Sequence, residues 1–297
     1  MKHTYLYENP DPEHEDTDDG HSRKKLLLIF IAVISIIVLI ICIVTLVLRS
    51  LSSYREAEKI RELANDIVTD ETGIISDEET GRRISSDESE STDISAKYRK
   101  LYERNNDFAG WISIDGTKID YPVMLTPEDE EYYLHRNFDR QDSDAGLPFM
   151  DSRCLIGRPS TNLLIFGHNM KNGDMFADLL KYSDKAYYDE HRYIRFDTVY
   201  EEGLYEIIAA FRTRVAYKDE NTFRFYNFIE ADSDAEFEYY LLNINKLALY
   251  DTGVEVKPDD RLLTLTTCEY TVEDGRFVVV ARRITEDTYS ENSEVIP

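Results

Sequence analysis

A cysteine and an arginine stand at the two facing ends of a predicted β-hairpin near the end of the sequence. The segments Leu262–Cys268 and Arg276–Ala281 are rich in Leu, Val and Thr, which favours strands, and Asp274-Gly275 between them is a turn signal. Residues directly opposite each other in an antiparallel pair have Cβ atoms about 5 Å apart. The pattern therefore predicts that the Cys268 thiol lies beside the permanent positive charge of Arg276.

The position of Cys268 beside a cation suits nucleophilic chemistry. A nearby positive charge stabilises a thiolate, or an anion that forms on the group a thiolate attacks. A buried structural cysteine beside a surface arginine explains the hairpin equally well when the hairpin is taken alone. The chain has three cysteines, of which Cys42 lies in an apolar run. Two cysteines are left, Cys154 and Cys268. They form one disulfide, or one of them is a reactive thiol.

A cysteine nucleophile needs a partner that holds or delivers a proton near neutral pH, and histidine is the usual one. Among the six histidines, His168 follows the apolar strand 163–166 and precedes a turn, so it ends a strand as Cys268 does. His135 and His191 have charged neighbours and are predicted at the surface, which ranks His168 first without excluding them. The other three precede a predicted membrane span and cannot reach Cys268: His3, His14 and His21.

Other functional classes fit the sequence less well. It contains no Gly-x-Ser-x-Gly elbow, no phosphate-binding glycine loop and no His-Glu-x-x-His zinc helix. A papain-like protease has its cysteine before its histidine, whereas His168 precedes Cys268 here. The net charge of -25 argues against a nucleic-acid partner, because phosphate binding needs a basic face.

The N-terminal part predicts a membrane anchor. Residues 26–48 form an uncharged run of about 23 residues, and about 20 suffice to span a bilayer as a helix. Its hydroxyl side chains, Ser35 and Thr45, can bond back to the helix backbone. The basic cluster Arg23-Lys24-Lys25 precedes the run, so the positive-inside rule predicts a cytoplasmic N-terminus and an extracellular remainder.

Composition divides the chain into five predicted parts. An acidic cytoplasmic tail (1–25), a transmembrane helix (26–48) and an extracellular stalk (49–94) precede the folded domain (95–290), and a short C-terminal tail (291–297) follows it. The beginning of the stalk continues as a helix, whereas its Ser-rich acidic second part is expected to be disordered.

The folded domain is predicted to be mostly β, as a barrel or sandwich with helices on its rim, because many short strand patterns alternate with few long helical ones. The predicted strands are 108–117, 119–123, 146–151, 162–166, 193–196, 204–215 and the final hairpin. The predicted helices are 96–105, 128–134, 174–182 and 234–247.

Several motifs, in order, resemble those of sortases, the membrane-tethered cysteine transpeptidases of Gram-positive bacteria, and look most like class B. Thr264-Leu265-Thr266-Thr267-Cys268 is similar to the family's Thr-Leu-x-Thr-Cys signature, and Arg276 stands where the family keeps its arginine. The resemblance covers about Tyr98 to Ile284. The further matching segments are Gly110-Trp111-Ile112, Ile119-Asp120-Tyr121-Pro122-Val123, Tyr132-Tyr133-Leu134 and Phe166-Gly167-His168-Asn169-Met170.

This resemblance implies an eight-stranded sortase β-barrel as the catalytic domain, with His168, Cys268 and Arg276 as catalytic residues. It implies that Cys268 cleaves the C-terminal sorting signal of a surface protein after Thr and forms a thioester. An amine of the peptidoglycan cross-bridge or its precursor then takes the acyl group. No cofactor or metal is expected, since a calcium site belongs to class A.

The resemblance also implies substrate contacts from Leu134, Thr222, Tyr226, Thr266 and Glu269, although each residue is equally compatible with ordinary packing. Glu130 departs from the pattern, because relatives more often carry Asn there, which leaves the signal sequence open. Two further functions remain open: a pilin polymerase that uses a lysine amine, and a catalytically silent membrane-tethered barrel. The full His168, Cys268 and Arg276 set argues against the silent barrel.

Overall fold

The computed structural model describes residues 19–73 and 93–285. The chain forms two compact units, Met1–Arg55 and Glu56–Pro297. The start of the acidic tail, the Ser-rich second part of the predicted stalk and the C-terminal tail lie outside the described residues. Four α-helices are described: α1 (Asp19–Gly73), α2 (Ala96–Arg104), α3 (Lys185–Glu190) and α4 (Asp234–Leu247).

The apolar part of helix α1 is a candidate membrane span by its length and composition. Its large apolar side chains from Leu26 to Leu48 are all exposed, so none of them is packed against the residues that the structure describes. Both hydroxyls bond to the helix backbone as predicted: Ser35 Oγ donates to the Ile31 carbonyl at 2.9 Å, and Thr45 Oγ1 to the Cys42 carbonyl at 2.8 Å. The stretch thus has the properties of a helix suited to an apolar solvent.

The second unit contains a closed eight-stranded barrel, which confirms the predicted fold class. Around the barrel the strands follow the order β1-β2-β3-β4-β7-β8-β6-β5. The β4–β7 pair is parallel, and β2 and β3 share one parallel bridge, whereas the other neighbours are antiparallel. The strands are β1 (Phe108–Ser113), β2 (Asp120–Met124), β3 (Phe149–Met150), β4 (Asn162–Phe166), β5 (Tyr193–Thr198), β6 (Leu204–Arg214), β7 (Leu262–Cys268) and β8 (Gly275–Arg283).

Helix α4 has the bounds that its periodicity predicts. Ser233 caps its N-terminus, where the side chain accepts a bond from the Glu236 amide at 3.3 Å. Phe237, Tyr240 and Ile244 form its buried face, at the spacing of one helix side. The face packs against the barrel, where the Tyr240 hydroxyl lies 3.3 Å from that of Thr264.

Two predicted rim helices form only as short 3₁₀ segments. The helix expected at 128–134 is the 3₁₀ segment Tyr132–His135, called the rim helix below, and the one expected at 174–182 is Ala177–Ser183. Met175 explains the second difference, because its φ of 57° lies in the left-handed region and prevents a helix from starting at Asp174. Apolar spacing alone does not reveal such a backbone turn.

The start of the predicted stalk contributes to a core of the second unit. Leu63 and Ile67 of α1 are buried in a cluster with Tyr98 and Leu101 of α2 and with Trp111 of β1. Lys100 also pairs with Asp66 at 2.7 Å. This part of α1 is therefore packed protein, which the sequence pattern did not indicate beyond its helical character.

Replacement of Leu63 by Ala tests this packing. Leu63 is 1% exposed, and removing such a buried side chain costs about 2–5 kcal/mol of unfolding free energy. The matched control Leu242→Ala in α4, where the side chain is 54% exposed, should change the unfolding free energy by less than about 0.5 kcal/mol. Urea unfolding followed by the fluorescence of Trp111 measures both; equal effects of the two variants would contradict the packing of α1.

Candidate active site

The parallel pairing of β4 and β7 brings two distant strand ends together. Phe166 is the register partner of Thr266, and the pairing continues beyond it. The Gly167 amide donates to the Thr266 carbonyl at 3.1 Å, and Thr267 Oγ1 donates to the Gly167 carbonyl at 2.7 Å. His168 and Cys268 each follow as the next residue, at the same end of two adjacent strands.

Cys268 and Arg276 are register partners on the antiparallel strands β7 and β8, as the hairpin pattern predicted. The arginine Nη1 donates to the Gly275 carbonyl at 2.9 Å. Within the described part of the chain this is its one side-chain hydrogen bond, so the remaining guanidinium donors can serve an incoming anion. The three cysteines are free, which removes the alternative of a Cys154–Cys268 disulfide.

The loop after β4 holds the backbone on both sides of His168. Gly167 has no side chain, and a Cβ there would collide with the Phe176 ring. The Phe176 amide donates to the His168 carbonyl at 2.8 Å, and Asn169 Nδ2 donates to the Cys268 carbonyl at 2.9 Å. The loop is thus fastened both to itself and to the strand that carries the thiol.

The His168 side chain is partly buried under the rim helix. Its Nε2 lies 2.9 Å from the Leu134 carbonyl oxygen, and its ring centroid lies 5.5 Å from that of His135. Burial lowers the pKa of His168 below its ordinary value; the Leu134 hydrogen bond opposes this shift, and the charge of His135 adds to it. Burial thus favours the neutral form of the imidazole over the charged form.

Two of the predicted substrate residues lie close to these groups. Leu134 contacts His168 through its main chain. Thr266 stands two residues before Cys268 on β7, so both side chains point to the same face of the strand. Thr266 is buried, and its hydroxyl has no hydrogen-bond partner among the described residues. A buried unpaired hydroxyl is rare.

Two others line a cavity of about 670 Å³ beside the hairpin loop, to which Thr222 and Glu269 both contribute. Thr213, also in its wall, is the β6 register partner of Arg276. Cys268 and His168 are not among the lining residues, so the cavity adjoins the candidate site without containing it. Tyr226, the fifth predicted residue, is not among the lining residues; its hydroxyl accepts a weak bond at 3.4 Å from the amide of Ala216, which is one of them.

Glu269 and Glu130 have local hydrogen-bond partners. The buried Glu269 carboxylate accepts from the Thr271 amide at 3.2 Å and from the Thr271 hydroxyl. Glu130 accepts from the amide and from the hydroxyl of Ser152, each at 2.8 Å. Glu130, which departs from the family pattern, thus ties the segment before the rim helix to the loop after β3.

Sequence reasoning gave no role of their own to Asn169 and Tyr270, and it ranked His135 below His168. Tyr270 is exposed and reaches the Asn169 carbonyl with its hydroxyl at 3.4 Å; its pKa is raised by burial and then by the charge of Cys268. His135 is exposed, as predicted, yet its ring faces His168. Asn169 directly follows His168 and Tyr270 follows Cys268 by two residues, so proximity along the chain was the available signal.

Comparison with known proteins finds relatives of the part of the chain that carries the candidate site. The model of the sortase domain matches residues 112–284. Sortase B of Listeria monocytogenes is 35% identical over 190 residues, which is 63% of this chain and 74% of that protein. Sortase B of Staphylococcus aureus is 30% identical over 192 residues, which is 63% of this chain and 75% of that protein.

Solved structures share the barrel. Sortase B from B. anthracis, in complex with AAEK1, superposes with a TM-score of 0.64 at 28% identity, over 80% of this chain and 99% of that one. A Staphylococcus aureus sortase B–substrate complex gives a TM-score of 0.65 at 24% identity, over 80% of this chain and 99% of that one, which supports the fold. The chain therefore belongs to the sortase family of cysteine transpeptidases, in its class B branch.

Proposed function

We propose that this sortase cleaves a C-terminal sorting signal after Thr and transfers the surface protein to the amine of a peptidoglycan cross-bridge or its precursor. The observation that supports the proposal is that three groups lie at the same end of neighbouring strands. Cys268 is the register partner of Arg276, and His168 follows the end of the adjacent strand β4 by two residues. A thiol, an imidazole and a guanidinium are the groups that acyl transfer through a thioester requires.

In the first half of the reaction, the Cys268 thiolate attacks the carbonyl carbon of the signal Thr. The resulting oxyanion is stabilised by Arg276, whose charge is permanent. The C–N bond then breaks, and the leaving amine takes a proton from the His168 imidazolium. A thioester between Cys268 and the Thr carbonyl remains.

In the second half, the acceptor amine attacks the thioester carbon. The neutral His168 imidazole takes the proton that the amine loses, and the C–S bond breaks to return the Cys268 thiolate. The lowered pKa of His168 suits this step, because it favours the form of the imidazole that accepts a proton. A pilin lysine would react in the same way, so the acceptor distinguishes wall anchoring from pilus assembly.

The proposed substrate groove runs from the rim helix past Thr266 to the cavity beside the hairpin loop. Leu134 would contact the signal at one end, and Thr222 and Glu269 at the other. Tyr226, whose hydroxyl accepts a bond from the Ala216 amide in the loop that carries Thr222, would contact the signal at that same end. Thr266 is buried on the same strand face as Cys268, and we propose it as a substrate residue from that position alone.

An acyl-enzyme trap tests the reaction. The protein is incubated with a panel of sorting-signal peptides, and mass spectrometry searches for a peptide fragment attached to Cys268. We expect an adduct in the wild type and none in Cys268→Ala. Arg276→Lys keeps the charge but loses the planar fork, and should slow adduct formation by about 10²-fold. Failure of every peptide, or an adduct that persists in Cys268→Ala, would contradict the proposal.

Addition of a cross-bridge peptide amine or a pilin lysine peptide to the trapped acyl-enzyme identifies the acceptor. Wall anchoring predicts faster loss of the adduct with the cross-bridge amine, with a new amide product. Faster transfer to the lysine peptide would favour the pilin polymerase instead.

The two cysteines outside the apolar run should differ in reactivity. Cys154 is 2% exposed, and burial raises the pKa of its thiol to about 12. Cys268 is only partly buried at its strand end. Brief treatment of the native protein with iodoacetamide should therefore alkylate Cys268 and leave Cys154 unmodified, while unfolding in urea should expose both. Equal modification of both in the native protein would argue against Cys268 as the accessible nucleophile.

The orientation in the membrane is also a proposal. The basic cluster before the apolar part of α1 predicts a cytoplasmic N-terminus and an extracellular barrel. Protease added outside intact protoplasts should remove the barrel and leave the N-terminal tail protected. A protected barrel under these conditions would reverse the orientation.

A further inference from the structure

The contact between His168 and the rim helix determines which ring nitrogen carries hydrogen. Nε2 of His168 lies 2.9 Å from the carbonyl oxygen of Leu134. A carbonyl oxygen only accepts hydrogen bonds, so a bond at this distance requires a hydrogen on Nε2. A neutral imidazole carries one ring hydrogen, which leaves Nδ1 without one.

The Leu134 carbonyl is held by the loop that follows the rim helix. The carbonyls on either side of it are bound there: Tyr133 accepts from the Leu147 amide and His135 from the Ser143 amide, each at 3.0 Å. Gly146 passes directly beside the Leu134 carbonyl, where a Cβ would collide with the oxygen. Gly146 also has a φ of 56°, so glycine is required there on both counts.

The surroundings of His168 favour its neutral form, in which the choice of tautomer matters. The ring is partly buried, and the His135 ring faces it at a centroid distance of 5.5 Å and an angle of 31°. A charged His168 would have a hydrogen on both nitrogens, and the Leu134 bond would persist in either state. The bond to the Leu134 carbonyl therefore makes Nε2 differ from Nδ1, and it still allows the His168 ring to gain or lose a proton at Nδ1.

We propose that the Leu134 main-chain carbonyl, backed by Gly146, fixes neutral His168 in the Nε2–H tautomer, so that Nδ1 exchanges the proton during transfer. Nδ1–H gives its proton to the leaving amine nitrogen, and bare Nδ1 later takes one from the acceptor amine. The Nε2–H hydrogen stays in place throughout. Leu134 is thus a positioning residue that acts through its backbone, and this role rests on the proposed function of His168.

Nitrogen-15 NMR of the full-length chain in detergent, with labelled histidine, reads the tautomer directly. The spectrum of His168→Gln identifies the His168 signals by difference. Above the pKa of His168, we expect Nε2 protonated and Nδ1 unprotonated. A protonated Nδ1, or the averaged shifts of a mixture of the two tautomers, would overturn the proposal even if the wild type forms the acyl adduct.

Two glycine variants test the role of the backbone. Gly146→Ala should displace the Leu134 carbonyl, abolish the tautomer preference and reduce kcat of acyl transfer by about 10²-fold with little change in KM. The control Gly253→Ala has similar backbone strain, with a φ of 72°, but its Cβ would meet nothing within 4 Å. It should keep both the tautomer and the rate.

The outcomes separate this inference from the proposed function. One outcome is that Gly146→Ala keeps both the alkylation of Cys268 and the Nε2–H tautomer and still loses activity. In that case the Leu134 carbonyl does not act on the reaction by fixing the tautomer. If wild type shows the Nε2–H tautomer but forms no acyl adduct with any peptide, the tautomer assignment stands and the proton transfer at Nδ1 fails together with the proposed function. Should Gly146→Ala not fold, the wild-type spectrum alone decides the tautomer.

Discussion

A buried polar network fixes the register of the parallel pair β4–β7, and the site depends on that register. Thr264 Oγ1 donates to Asn162 Oδ1 at 2.8 Å, and Asn162 Nδ2 donates to the Phe228 carbonyl at 2.7 Å. Asn162 and Thr264 are fully buried, so a slip of one residue would leave their polar groups unpaired at a cost of about 1–3 kcal/mol each. The same slip would move Cys268 to the other face of its strand, away from His168.

The strand connections of the closed barrel also help to position the site. Parallel neighbours need a long crossover, and the chain between β4 and β7 supplies it with β5, β6 and α4. Strand β6 returns to pair with β8, whose partner on the other side is β7. Thr213, Arg276 and Cys268 therefore form one row across three strands. Loops around this row then provide the adaptable contacts, while the barrel holds the reacting groups.

The regular elements could be predicted from sequence, because their signals are local. Strands β4 and β7 and helix α4 have the bounds that their patterns indicate, and the antiparallel hairpin alone predicted that Cys268 and Arg276 face each other. The partner of Cys268 was harder to predict, since no local pattern reports that β4 lies beside β7. His168 was chosen from the chemistry of its side chain, from its place after an apolar strand and from the family resemblance.

Contacts that depend on backbone direction were not predictable. The contact between the Leu134 carbonyl and His168 cannot be predicted from the identity of residue 134, because every residue has a main-chain carbonyl. The positive φ of Met175 shortens a segment whose apolar spacing indicates a helix. The burial of Leu63 and Ile67 was likewise missed, because apolar residues on a stalk helix and on a packed helix have the same spacing.

The central claim is that the residues at the ends of β4, β7 and β8 act as one acyl-transfer site. A double-mutant cycle on the rate of acyl-enzyme formation tests it most directly, with His168→Gln, Arg276→Lys and the double variant. Residues that act as a unit show strongly non-additive losses. The account predicts that the double variant is about as slow as the slower single variant. Losses that multiply would show that the two residues act independently, and would contradict it.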